Sequence, residues 1–452
     1  MALEIIILAA GMGKRMQSDL PKVLHPIGGK PMLQHLIDNT RQVNAARIHI
    51  VIGTGGEQVR SALAADDINW VIQSEQLGTG HAALQALPAC DPANDVLILL
   101  GDAPLVQSGT MRSLLDLGAD LALLTVRVPD PTGYGRITRA DNGTVRSIVE
   151  QGDVTEQENL IDEINTGVMA ARASDFLRWL DDVTPDNAQR EYQLTDVVRI
   201  AAAGGESVQS FVAADPAEVA GVNDRVKLAE SERVFQRWVA RDLMLAGASL
   251  ADPARIDVRG KLTVGRDVEI DVNCVFEGEV HLASGVRVMA NCCISDSSIG
   301  EGSVVKPNSV VDGAVVESGC SVGPFARLRP GAHLEDQVAI GNFVEVKKSH
   351  VGRGTKASHL AYLGDATIGR DVNIGAGTIT CNYDGVNKHP TTIGDDVFVG
   401  TNTSLVAPVT ISDGSTIAAG STITRNVAEN ALALGRARQV QKSNWPRPVK
   451  KS

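Results

Sequence analysis

Hydrophobic residues follow two different rhythms along this chain, and a helical pattern separates them. In the first stretch, short aliphatic runs alternate with segments whose apolar residues recur every three to four positions. Ile5–Leu8, Ile48–Ile52, Trp70–Ile72, Val96–Leu100 and Leu121–Val126 read as strands, and 31–43, 57–64, 80–87 and 110–117 as helices between them. That alternation predicts an α/β domain over residues 1–222. From Val222 to Ala246, Val226, Leu228, Val234, Phe235, Trp238, Val239, Leu243 and Leu245 fall at helical spacing among charged residues, and Gly247 ends the pattern. This is a linker helix over 223–247, or else a surface helix of the first domain. Beyond Asp252-Pro253 the period becomes six: Val264, Ile270, Phe276, Leu282, Val288 and Ile294, then Val316 to Val346, then Ile393 to Ile423. Period six is the hexapeptide signature of a parallel β-helix, each short strand pointing one aliphatic residue into a triangular core. Residues 248–452 should form about nine coils.

Composition sharpens this picture. The chain of 452 residues is 43% hydrophobic but only 3% aromatic, with 44 glycines, which suits thin repetitive layers better than one large core. A net charge of −12 argues against a nucleic-acid partner, so an anionic substrate must meet local cations. Cys90, Cys274, Cys292, Cys293, Cys320 and Cys381 show no CxxC pair and no zinc spacing; they read as small apolar fillers in a reducing compartment. The apolar start is too short to span a membrane, and its cations follow it rather than precede it. The expectation is a cytoplasmic protein without membrane insertion.

Candidate chemistry begins where the first strand ends. The loop Leu8-Ala9-Ala10-Gly11-Met12-Gly13 has little side-chain bulk, and Lys14, Arg15 and Lys22 follow it. Open backbone donors beside cations suit a phosphate chain. No Gly-Lys-Ser/Thr closes a Walker A loop, and Met16 stands where a dinucleotide fingerprint needs its third glycine. Asp102, just past a buried strand, either caps a turn or offers a hard oxygen to magnesium beside substrate phosphates. Gln73, ahead of Gly78-Thr79, carries a carboxamide able to match both donor and acceptor edges of uracil. His81 reads as helix-start packing.

The string from Leu8 to Met16, continued by Pro21-Lys22, resembles the signature loop of the sugar-1-phosphate nucleotidylyltransferases, whose domain is Rossmann-like. The resemblance implies that Leu8, Ala9, Ala10, Gly11, Lys22, Gln73, Gly78 and Thr79 bind UTP, and that Arg15 and Lys22 are catalytic. It also implies that Asp102 and the Asn223 of Gly221-Val222-Asn223 hold Mg²⁺. Leu100 stands where the family often carries an aromatic residue. Gly133-Tyr134-Gly135, Val149-Glu150, Ile164-Asn165-Thr166-Gly167 and Glu191–Asp196 match, in order, the elements that hold the acetylated amino sugar in N-acetylglucosamine-1-phosphate uridylyltransferases. Gly135, Glu150, Asn165 and Asn223 are the implied contacts to that substrate or to UDP-N-acetylglucosamine. The sugar-phosphate oxygen can attack the α-phosphorus directly, so no protein nucleophile is needed.

The β-helix carries its own motifs. Arg327-Leu328-Arg329, Asn342-Phe343-Val344-Glu345-Val346-Lys347, Ser358-His359-Leu360-Ala361-Tyr362, Asn373-Ile374-Gly375-Ala376-Gly377 and Cys381-Asn382-Tyr383-Asp384-Gly385 decorate the repeat, with 380–388 leaving the coil. Singly, a solvated cation and a coil-turn histidine explain them. In this order they resemble the acyltransferase half of the bifunctional family that joins glucosamine-1-phosphate N-acetyltransferase to N-acetylglucosamine-1-phosphate uridylyltransferase. The resemblance covers nearly the whole chain and implies a left-handed β-helix, a homotrimer with sites between subunits, and supply of precursors such as those of peptidoglycan and lipopolysaccharide. It makes His359 the general base, a role an imidazole of ordinary pKa about 6.5 can fill near neutrality, with Glu345 in support. Arg329, Lys347, Tyr362 and Asn373 would bind glucosamine-1-phosphate; Ala376, Asn382, Tyr383, Thr401, Ala419 and Arg436 would bind acetyl-CoA. The basic tail (Arg436, Arg438, Lys442, Arg447, Lys450, Lys451) reaches a neighbour and CoA phosphates, or is merely solvated. Two other readings stand beside this one: a single-activity nucleotidylyltransferase with a scaffold β-helix, and a non-catalytic subunit.

Overall fold

In the computed structural model, which describes residues 2–450 apart from Met12, Thr54, Gly55 and Ala188, the chain forms two compact units, Met1–Phe235 and Gln236–Ser452. Met12 of the opening loop and Lys451 of the tail therefore lie outside the described residues. In the first unit, β1 (Leu3–Leu8), β2 (Arg47–Gly53), β3 (Ile68–Gln73), β4 (Asp95–Leu100) and β5 (Leu121–Arg127) are the strands expected from the aliphatic runs. Four more follow: β6 (Arg136–Arg139), β7 (Val145–Val149), β8 (Glu163–Arg172) and β9 (Val208–Ala213). The sheet runs β9-β5-β8-β4-β1-β2-β3, with the β6–β7 hairpin attached to β8. Only β8 is antiparallel to its neighbours along this path. Its register shifts between Asn165 and Met169, where a polar bulge breaks the alternation that would have marked it as a strand.

Successive β1 side chains point to opposite faces, and both faces are covered. Ile5 and Ile7 pack in one core with α1 (Met32–Arg41), α2 (Glu57–Ala62) and α4 (Ser108–Leu115). Ile6 packs in the other with α3 (Thr79–Ala86), α5 (Ala173–Asp181) and α6 (Asp196–Gly204). Near the start of the strands, buried Glu4, His49 and Cys90 gather into one cluster. The Glu4 carboxylate takes hydrogen bonds from His49, Asp91 N–H and Asn94, all at 2.9 Å, and the second His49 nitrogen meets Asn69. Burial pushes the Cys90 thiol up to about 12. This is a closed polar network whose nitrogens and oxygens are already matched.

Helix α7 (Arg225–Leu245) packs by halves. Within the first unit, Glu232 accepts a hydrogen bond from Gly28 N–H at 2.7 Å, and Phe235 meets the edge of His35. Within the second, the Gln236 carboxamide bonds both backbone groups of Val258, and Ala240 and Leu243 enter the core.

The second unit is the parallel β-helix. One face is an 11-stranded sheet; the other two faces form a continuous 17-stranded sheet. Stacked partners are 17 or 18 residues apart, as in Ile270↔Val288 and Val288↔Val305. Among the six-spaced positions of the sequence, all but Val264 are at most 5% exposed, and each buried aliphatic contributes about 1.5–3 kcal/mol. The phase breaks have a simple origin: corners shortened by one residue, as from Ile294 to Ile299 and from Val311 to Val316, keep the inward residue buried. The step Ile374↔Val399 is 25 residues, the extra length forming the excursion closed by the Tyr383↔Lys388 bridge. One corner column is left-handed throughout, at φ +46° to +76°: Asn273, Asn291, Asn308, Phe325, Phe343, Leu360, Gly377, Asn402 and Gly420. Asparagine and glycine tolerate that backbone; Phe and Leu do so at a cost.

Candidate functional sites

Strands β1 and β4 end side by side at Leu8 and Leu100, and the loops that follow line one cleft. One part is walled by Leu8, Ala9, Ala10, Gly11, Lys22, Gln73, Gly78, Thr79 and Asp102, joined by Gln76 and Glu191. The other is walled by Thr79, Asp102, Gly135, Glu150, Asn165 and Asn223, joined by Tyr134, Thr166 and Gln193. Asp102 and Thr79 belong to both parts.

Gly13 turns the chain back beneath Lys22 at φ +59°, where a Cβ would stand 2.7 Å from that of Lys22. The Lys22 ammonium, 10% exposed, donates to Asp102 Oδ2 at 2.5 Å and Asn223 Oδ1 at 3.0 Å. Val222 N–H donates to Asp102 O at 2.7 Å, which ties the Gly221–Asn223 turn to Gly101-Asp102. A carboxylate and a carboxamide oxygen thus already converge on one positive charge, a hard-oxygen set that fits a divalent cation. Arg15 is different. The Lys14–Met16 turn buries Met16 and leaves Arg15 exposed, and Arg15 is not among the residues lining either part of the cleft.

Gln73 is 2% exposed. Its amide nitrogen lies 3.2 Å from Gly78 O and 3.0 Å from His81 Nδ1, so the expectation that both amide edges face a base is corrected: only the oxygen remains. Gly78, at φ +118°, could carry no side chain, because a Cβ would stand 2.4 Å from Tyr192 O. Tyr192 N–H donates to Leu77 O, Gly80 N–H to Tyr192 O, and Leu194 N–H to the Thr79 hydroxyl. The Glu191–Asp196 segment thereby closes over the Gly78-Thr79 loop.

On the sugar side, Asn165 N–H donates to Gly135 O, and the Asn165 carboxamide oxygen accepts from Gly167 N–H. Burial raises the pKa of Glu150, and the nearby Asp196 and Asp153 charges add to this against a hydrogen bond from Thr195. Sequence reasoning missed Arg136. It is fully buried beside Gly135, and among the described residues its guanidinium donates to neutral oxygens, those of Tyr134, Gln151 and Asn159. The signal was its position directly after Gly-Tyr-Gly.

In the β-helix, His359 precedes the left-handed Leu360 at the corner between two faces. Its Nδ1 meets Asn342 Oδ1 at 2.7 Å, one coil below. The partner expected for His359, Glu345, instead binds Arg329 at 2.8 Å, because Glu345 lies on the next face, in register with Tyr362. Lys347 lies on that face too, and its pKa is lowered by the adjacent Lys388 amine, which competes with it for a proton, and by lost solvent. Lys388, unanticipated, completes a cluster of three cations with Arg329 and Lys347. Two expected contacts are committed elsewhere: Asn382 is buried and donates to Asp365 and Tyr362, and the Tyr383 hydroxyl donates to Gly385 O. Asn373 lies on the 11-stranded face, away from Tyr362. Ala376, Thr401 and Ala419 each precede a left-handed corner residue, as His359 does, and so continue its column coil by coil. Arg436 donates to Ala419 O at 2.8 Å.

Comparison with known proteins follows this division. Residues 5–142 match the MobA-like NTP transferase domain, 258–351 the GMPPB C-terminal domain, and 390–425 the bacterial transferase hexapeptide repeat. The chain is 54% identical over 450 residues to the bifunctional protein GlmU of Marinobacter nauticus, covering 99% of each. Among solved structures, one described as a glucose-1-phosphate thymidylyltransferase from Bacillus anthracis aligns at 20% identity and TM-score 0.43, over 52% of this chain and 95% of its own. HddC from Yersinia pseudotuberculosis aligns at 20% identity and TM-score 0.39, over 51% and 99%.

Proposed function

This chain belongs to the bifunctional GlmU family, and we infer from that premise that each unit carries one of two successive transfers leading to UDP-N-acetylglucosamine. It is a nucleotidyltransferase and an acetyltransferase on one chain. In the β-helix, Arg329, Lys347 and Lys388 hold the phosphate of glucosamine-1-phosphate. His359, oriented by Asn342, takes a proton from the amine as its nitrogen attacks the thioester carbonyl of acetyl-CoA; the C–S bond then breaks and CoA leaves as its thiol. The column of Ala376, Thr401 and Ala419, at about 4.8 Å per coil, offers CoA a track away from His359.

In the first unit, the phosphate oxygen of N-acetylglucosamine-1-phosphate attacks the α-phosphorus of UTP, and the bond to pyrophosphate breaks. Asp102 and Asn223 would hold a magnesium ion, which supplies countercharge to the triphosphate. Lys22 offers its ammonium to the same phosphates, and Arg15 acts from the rim. Gly135, Glu150 and Asn165 line the sugar. The observation that carries this reading is that nucleotide and sugar parts of one cleft meet at Asp102. Incubation with glucosamine-1-phosphate, acetyl-CoA, UTP and Mg²⁺ should release both thiol and pyrophosphate. Pyrophosphate without thiol would reduce the β-helix to a scaffold.

Assembly follows from the corner column. Phe325, Phe343 and Leu360 are at least half exposed and accept a backbone that asparagine or glycine fills elsewhere. The two phenylalanine rings stack at 5.5 Å beside His359's corner. A second and third copy covering this ridge would repay both costs, so the enzyme is a homotrimer with acetyl transfer completed at the contact. Phe343→Asp should shift sedimentation toward monomer and lower thiol release at least tenfold with pyrophosphate release kept; an unchanged trimer would refute this contact. No helix among the described residues is long and apolar enough to cross a membrane, and UTP and acetyl-CoA as substrates support a cytoplasmic enzyme.

A further inference from the structure

Against Gln73, and not itself among the residues lining the nucleotide part of the cleft, stands a histidine that the two-transfer scheme leaves idle. His81 stands on the first turn of α3, and its Nδ1 lies 3.0 Å from the amide nitrogen of Gln73. That nitrogen also lies 3.2 Å from Gly78 O. A carbonyl oxygen can only accept, so the Gln73 NH₂ group must face Gly78, and His81 Nδ1 must then be an unprotonated acceptor. The imidazole proton therefore resides on Nε2, and the Gln85 amide nitrogen, 3.2 Å from Nε2, donates instead to the His81 carbonyl oxygen at 3.3 Å. Gly78 O is itself fixed, since the left-handed Gly78 is wedged against the Tyr192 backbone.

We propose that His81 is a positioning residue that sets nucleobase selectivity by locking the Gln73 carboxamide with its oxygen toward the nucleotide. The inference rests on the reading that this part of the cleft binds UTP. An oxygen held there accepts the N3–H of uracil and meets the bare N3 lone pair of cytosine with repulsion. A site committed to one hydrogen-bond sense rejects the analogue of opposite sense. Without the imidazole acceptor, only Gly78 O restrains the amide, and Gln73 can turn its NH₂ to cytosine N3.

The test is the ratio of kcat/KM for UTP against CTP in pyrophosphate release, measured on the full-length wild type, His81→Ala and His81→Asn. Thiol release and melting temperature serve as folding controls. His81→Ala should raise KM for UTP at least tenfold with little change in kcat, and with use of CTP unchanged or improved should narrow the UTP:CTP ratio by at least the same factor. His81→Asn, whose side-chain oxygen can stand near the lost Nδ1, should restore the ratio to within about threefold. Equal losses with UTP and CTP, or an unchanged ratio, would overturn the role of His81 while leaving uridylyl transfer intact. A wild type without preference for UTP would instead remove base reading by Gln73, and this proposal with it.

Discussion

His359→Ala will all but abolish thiol release from acetyl-CoA, by about 10²–10⁴-fold, the usual worth of a positioned general base. Pyrophosphate release from UTP and N-acetylglucosamine-1-phosphate will stay within about twofold of wild type. The asymmetry follows from structure: His359 belongs to the second compact unit, and its recorded partner, Asn342, is one coil away in that same unit. The side chain is exposed at a corner, so its removal leaves no cavity and the melting temperature should hold. Asn342→Ala should lower thiol release by a smaller factor, because it removes the orienting oxygen and not the base. Substantial thiol release by His359→Ala would mean that the amine loses its proton elsewhere.

The second large effect is the reverse. Asp102→Ala should cut pyrophosphate release by at least about 10²-fold, the scale of losing one preorganised electrostatic contact to a developing charge, with thiol release unchanged. Two deficits add in this variant. The expected metal loses its only carboxylate in the Asp102–Asn223 pair, and Lys22 loses the partner that holds its ammonium at the junction of the cleft. Chelation of divalent metal from the unaltered enzyme should reproduce the first deficit without the second. Full activity in excess chelator would exclude the metal role of Asp102 and leave it as the anchor of Lys22.

The sequence disclosed these two regions unequally well, for physical reasons. Inward residues of the β-helix were legible because each coil repeats the same requirement, one aliphatic side chain per strand. Strands β1, β2, β4 and β5 of the first unit were legible because burial on both faces demands unbroken apolar runs, whereas β3, at the sheet edge with Ile72 exposed, showed only the short run Trp70–Ile72. β8 was not, since its Asn165-Thr166-Gly167 bulge serves the cleft and not the core. Motif resemblance singled out Lys22, Asp102 and Asn223, whose side chains are in hydrogen-bond contact although nearly the whole first unit separates Lys22 from Asn223. It could not show that Asn342, not Glu345, contacts His359, because that depends on which side of a corner each residue falls. Nor could it show that the Gln73 amide is half committed to Gly78 and His81; hydrogen-bond sense belongs to three-dimensional neighbours.

The stacked coils also dictate how this half of the protein can change length. His359 is poised by Asn342 only because one turn of chain returns each residue above its counterpart. A single inserted residue within a strand between them would exchange inside for outside and part the pair, whereas an added complete coil beneath Arg327 would leave every contact above it intact. The excursion between Ile374 and Val399 shows the other permitted form, extra chain extruded at a corner while the ladder resumes in register. Growth of the acetyltransferase half should therefore come in whole turns or in corner loops, and its span can be tuned without redesigning its chemistry.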